Sequence, residues 1–127
     1  MSLNISQTLR NKFKSQIPLE DIKDYALGRK YNLSLVFISN ILSRKINKKY
    51  RGKDKPTNIL SFPLSTNDGE IFINMPLVKK EAKQENQTFI KYFGMIYVHG
   101  LVHLKGFDHG SKMKNEERKI RKKFKLD

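Results

Sequence analysis

Thr88-Phe89-Ile90-Lys91-Tyr92-Phe93-Gly94-Met95-Ile96-Tyr97-Val98-His99-Gly100-Leu101-Val102-His103-Leu104-Lys105-Gly106-Phe107-Asp108-His109 contains all three histidines of the 127-residue chain. The run over Thr88–Leu104 is apolar nearly all round, which predicts a buried central helix rather than a surface one. Two imidazoles inside such a helix are costly unless something satisfies them. Their spacing says what can. Positions i and i+4 project from one face of a helix, so His99 and His103 can grip one ion. Gly106 can adopt the left-handed conformation that ends a helix, and the returning chain then offers His109. Three neutral imidazoles with one place left open form the donor set of a catalytic zinc site.

Outward from this stretch the elements alternate irregularly. Pro18 starts a predicted helix with Leu19, Ile22, Tyr25 and Ala26 on one face. Leu33–Ser39 reads as a strand rich in β-branched and aromatic residues, and Asn40–Lys48 as a short helix or turn. Arg51–Thr57 reads as a loop by its glycine, proline and charges. Ile59–Pro63 and Glu70–Met75 are two further predicted strands joined by the polar turn at 65–69. Short helices are expected over Pro76–Gln84 and, strongly basic, Asn115–Lys125. A first strand is reduced to Leu3–Ser6 or lost. The expected class is α+β, with a small mixed β-sheet packed with helices around the histidine-bearing one. The expected domain organisation is a single domain, 1–127, large enough to bury roughly two thirds of its unfolded surface.

Composition narrows the function classes. The chain has no cysteine, which excludes disulfides and thiolate-built structural zinc and fits a reducing cytoplasm. No apolar run approaches the ~18 residues of a membrane span, and the N-terminal MSLNISQTLRNKFK has no signal-peptide core. Net charge is +14. Residues 44–55 hold seven Lys/Arg against one Asp, and residues 112–125 hold eight against two Glu. Positive charge clustered in this way favours a polyanionic partner over a merely solvated surface. Lys48, Lys49, Lys53 and Lys55 around Arg51 are the candidate contacts to a nucleic-acid phosphate backbone.

The H-x3-H-x2-G-x2-H spacing also occurs in the metzincin peptidases, where a glutamate general base follows the first histidine. Here that residue is Gly100. The peptidase geometry is kept and its base is gone.

The residues His99–His109 resemble the H-G-x-L-H-L-x-G-(Y/F)-D-H signature of the YbeY family of bacterial zinc-dependent endoribonucleases. Asn47 through Pro63 is similar to that family's N-x-x-Y-R-x-K-D-x-P-T-D-V-L-S-F-P segment, and Asp68–Ile71 more weakly to its L-G-D-I. The chain departs from the pattern at Asn58, Glu70 and Val102, none of them a metal ligand. The resemblance implies a zincin-like site with one Zn²⁺ held by His99, His103 and His109. It also implies Arg51 as a catalytic residue acting on phosphate, and cleavage of single-stranded RNA during ribosomal-RNA maturation in the cytoplasm. Ribosomal particles or ribosome-associated proteins are the further partners it implies.

Other roles follow from residue chemistry alone. Asp108 can accept a proton from an imidazole and set its tautomer, or can serve as a turn residue bonding its own backbone. Ser61 and Phe62 can line the cleft. Tyr50, Tyr92, Tyr97 and Phe107 can stack bases or fill the core. Two rival classes stay open. An RNA-binding ribosome-assembly factor with structural zinc predicts binding without cleavage. A metal hydrolase of another substrate, peptidase-like, predicts indifference to the basic patches.

Overall fold

The computed structural model describes residues 3–7 and 16–127. In chain order the elements are β1 (Leu3–Gln7), α1 (Leu19–Leu27), β2 (Asn32–Ile38), α2 (Asn40–Arg51), β3 (Ile59–Ser65), β4 (Asp68–Asn74), α3 (Met75–Gln84), α4 (Phe89–Leu104) and α5 (Ser111–Lys123). The class is α+β, with a mixed four-stranded sheet in the order β1-β2-β4-β3. β1–β2 and β2–β4 are parallel, and β3 runs antiparallel to β4 as one of the two outer strands. β2 carries buried side chains from Leu33 through Ile38 except at Ser34. A near-continuous apolar run of this kind suits an inner strand covered on both faces.

α4 is the hub, packing against α1, α3, α5, β3 and β4. Thr88 caps it, its Oγ1 accepting from the Lys91 N–H at 3.2 Å. Phe93, Tyr97, Val98, Leu101 and Val102 are almost fully buried, as the sequence predicted for a central helix. Tyr97 spends its one polar group on the Leu19 carbonyl at 2.8 Å, so it is a core residue and not a base platform. Gly100 is where the helix presses onto the sheet. A Cβ there would meet Ile59 Cδ1 at 2.5 Å and Ile71 Cδ1 at 3.2 Å.

Several boundaries differ from the sequence reading. α2 runs one turn past Lys48, because Ser43 and Asn47 on its inner face hold the following loop and extend the packed surface. Arg51 therefore ends a helix instead of opening a loop. α5 begins at Ser111 rather than Asn115, with Met113 buried in its first turn. In α1, Tyr25 is 41% exposed while Lys23 is fully buried. The Lys23 ammonium is satisfied by the carbonyls of Gly28 at 3.1 Å and Tyr31 at 2.8 Å and by Asp24. It thus caps the helix's negative end.

Candidate functional site

The histidine cluster is built by a helix end. His99 and His103 leave the same face of α4, one turn apart, with ring centroids 5.0 Å apart. The helix closes at once. The Gly106 N–H donates to the His103 carbonyl at 3.0 Å and the Phe107 N–H to that of Val102 at 3.3 Å. This paired Schellman closure needs a positive φ, which Gly106 supplies at +104°. The chain reverses, and His109 arrives with its ring 5.5 Å from His103 and 6.3 Å from His99. The structure thus brings together all three histidines singled out in the sequence.

α5 adds a residue that the sequence reading missed. Glu117, 8% exposed, places Oε1 3.0 Å from His99 Nδ1. Met113, Glu117 and Ile120 are the buried residues of α5. Their i, i+4, i+7 spacing was the available signal, because a carboxylate in an otherwise apolar stripe needs a partner. A carboxylate on Nδ1 fixes that nitrogen as the donor and leaves the Nε2 lone pair available to a metal. Asp108 lies near enough to His103 to act on it through its charge, but the carboxylate that meets a histidine ring is Glu117.

Burial lowers the His103 pKa below the usual imidazole value, and the charges of His99, His109 and Arg51 push it further down; Asp108 opposes them. A neutral imidazole is the form that binds metal. The donor set fits a cation of imidazole preference in kind, with three ring nitrogens, one oriented by a carboxylate. Its triangle is open on one side. Rings on one tetrahedral zinc have centroids about 5 Å apart. Two of the distances here match, and the His99–His109 distance is wider. Among the described residues no group of three His, Cys, Asp or Glu side chains closes on a common point. The segment carrying His109 lies between Gly106 and Gly110, both at positive φ.

Arg51 lies on another element, within charge range of this cluster. It is exposed at the last turn of α2, ahead of Gly52 in the left-handed conformation, and its charge is felt at His103. The loop after it is tied down by buried polar groups. The Ser43 hydroxyl donates to the Thr57 carbonyl at 2.7 Å, and Asn47 Nδ2 to that of Lys55 at 2.8 Å. Arg51, Lys53 and Lys55 then line one cavity of about 310 Å³ together with Asn58 and Glu81. Asn58 Nδ2 donates to Glu81 Oε1 at 2.9 Å, and Tyr92 Oη donates to the same oxygen at 3.2 Å. Burial, followed by the Glu81 charge, pushes the Tyr92 hydroxyl up to about 12.

The other two candidate lysines lie apart from this cavity. Lys48 shares an outer groove with Arg44 and Lys45, and Asp54 draws both Arg44 (2.8 Å) and Lys48 (3.9 Å). Lys49 sits 5.3 Å above the Tyr50 ring. Ser61 donates to the Gly100 carbonyl at 3.4 Å, tying β3 to the histidine helix. No helix among the described residues is long and apolar enough to cross a membrane.

Fold and site together define an α+β domain with a histidine cluster at the end of a buried helix and a basic cavity beside Arg51. The model of the family described as Endoribonuclease YbeY matches residues 2–125, and the chain belongs to that family. Relatives described as Endoribonuclease YbeY include one from Francisella philomiragia, 36% identical over 91% of this chain and 84% of its own length. Another, from Thermodesulfovibrio yellowstonii, is 41% identical over 71% of this chain and 60% of its own, and a third, from Colwellia psychrerythraea, is 37% identical over 62% and 56%. The chain thus spans less than two thirds of the length of these last two. The solution structure of TM1509 from Thermotoga maritima shares the fold at a TM-score of 0.65 and 23% identity, over 97% of this chain and 91% of that one.

Proposed function

We propose that the chain is a single-domain, zinc-dependent endoribonuclease that prefers single-stranded RNA and acts in the cytoplasm in ribosomal-RNA maturation, on RNA alone or within ribosomal particles. The observation that carries this reading is the gathering of His99, His103 and His109 at one helix end, with Arg51 near enough for its charge to act on His103. A cluster of imidazoles with a guanidinium in charge range is suited to a phosphodiester, because the imidazoles recruit a metal and the guanidinium offers a planar fork to phosphate oxygens. Membership of the family supports the same reading.

His99, His103 and His109 would hold the ion, which supplies Lewis acidity and an activated water near neutral pH. Glu117 holds His99 in the tautomer that presents Nε2. Arg51 binds a phosphate oxygen and stabilises the charge that grows there in the transition state. Lys53 and Lys55 keep the neighbouring phosphates in register with Arg51. Gly100 bears on the peptidase alternative. No carboxylate stands at the position of the metzincin base, and the packing of Ile59 and Ile71 leaves no room for a side chain.

The test is cleavage of a single-stranded ribosomal-RNA fragment by protein of measured zinc content, beside His103→Ala and Arg51→Ala. Loss of cutting in both, with RNA binding partly kept, supports the reading. Equal slow cutting by all three defeats it and favours an RNA-binding assembly factor.

A further inference from the structure

The sheet has a second face that the cleavage site does not use. Side chains alternate along a strand, and Ile59, Ser61 and Ile71 point to α4, as their approach to Gly100 shows. Phe62, Leu64, Glu70 and Phe72 therefore point the other way, where α2 covers the sheet only in part. With Ile46 and Tyr50 of α2 they line a cavity of about 410 Å³.

Tyr50 is 62% exposed and Leu64 65%. The rings form a short ladder, with Tyr50 and Phe62 centroids 5.5 Å apart and Phe62 and Phe72 centroids 6.0 Å apart, each pair edge-on. Tyr50 leaves its ring open to solvent and Phe62 and Phe72 are only partly buried, so the ladder is not part of the core. The charge around them is positive, for Tyr50 lies within the +6 segment 44–55 and carries the Lys49 ammonium over its ring.

Tyr50 and Arg51 are consecutive residues on the last turn of α2. The Arg51 side chain lines the basic cavity and acts on His103 through its charge, and the Tyr50 side chain lines the aromatic ladder. β3, an outer strand of the sheet, separates the two faces. A nucleic-acid strand that lays a phosphate on Arg51 has its next nucleotides at Tyr50. We infer that the Tyr50–Phe62–Phe72 ladder is a base-stacking subsite, which holds an unpaired nucleobase of the RNA strand whose phosphate Arg51 binds. This rests on the ribonuclease reading above. The base lies on the Tyr50 ring, as bases do on aromatic platforms that bind single strands. The Lys49 ammonium moves from the ring, where an exposed cation is held weakly, to the adjoining phosphate. Glu70, the one carboxylate at the cavity, repels a phosphate there and can accept from the exocyclic amino group of a base.

The test compares two probes of equal length and charge, a labelled oligoadenylate and an abasic ribose-phosphate oligomer. Fluorescence anisotropy at one fixed salt concentration is read for the unaltered chain, Tyr50→Ala and Tyr50→Phe. Tyr50→Ala is expected to weaken oligoadenylate binding about tenfold and leave the abasic oligomer unchanged, whereas Tyr50→Phe keeps both. Unchanged thermal unfolding of Tyr50→Ala assigns the loss to the subsite. Equal weakening for both probes, or none for either, overturns the subsite and leaves the ribonuclease reading intact. Failure of the unaltered chain to bind either probe overturns both.

Discussion

The histidine cluster and the Arg51 cavity are assembled differently. The cluster comes from eleven consecutive residues. A helical turn sets two ligands, and one glycine-closed reversal brings the third. Its geometry is mostly local, and Glu117 is its one distant contributor. The cavity draws on α2, the loop after it and α3. Its loop keeps its shape only because Ser43 and Asn47, both buried, donate to the loop's own carbonyls. A site made by local spacing tolerates change in its surroundings. A site made by cross-links fails when a distant polar group is removed.

Substitutions can break that contrast or sharpen it. His103→Ala should remove zinc and reduce RNA cleavage to the level of an inert control, read by metal analysis and a cleavage assay. Arg51→Ala should lower kcat by about 10²–10³ with zinc content unchanged, and Arg51→Lys should restore only part, since an ammonium lacks the planar fork. A variant that lost zinc as well would show that the two halves are not separable. Glu117→Gln should weaken zinc binding about 10–100-fold, measured by competition with a zinc-sensitive dye. No change there would make the cluster wholly local. Gly100→Ala should destabilise the fold by about 1–3 kcal/mol, seen as a lower Tm, because its Cβ meets Ile59 and Ile71. Ser43→Ala should cost about 1–3 kcal/mol by orphaning the Thr57 groups. It should also raise KM for RNA through Lys53 and Lys55 while leaving zinc affinity alone.

Much of this was legible beforehand, and the reasons are specific. Thr88–Leu104 announced a buried helix by its unbroken apolar composition. Leu33–Ser39 announced a strand by its β-branched and aromatic residues, and the packing showed it to be an inner one. The end of α2 was read too early, because Asn47 and the lysines after it look like loop residues until the loop folds back onto Ser43 and Asn47. Lys23 could not be foreseen as buried, since its carbonyl partners come from the turn after α1. Glu117 was hidden by its setting, a helix with eight positive residues nearby, although its spacing from Met113 and Ile120 marked the inner face. The five lysine and arginine positions taken as one RNA contact separate in the structure. Arg51, Lys53 and Lys55 gather in one cavity, Lys48 faces Asp54 outside it, and Lys49 lies over Tyr50.

The sequence alone determined the histidine triad, the central helix and the clustered positive charge. Each of these depends on spacing within a single element or on composition, and helical periodicity carries that information without reference to the rest of the chain. The tertiary structure decided which carboxylate orients His99, which cations join Arg51, and that Tyr50 and Phe62 meet across a face of the sheet. The first and last pair residues 18 and 12 positions apart, the second depends on a loop held by a link between Ser43 and Thr57, 14 apart, and only the packing of the elements brings such partners together.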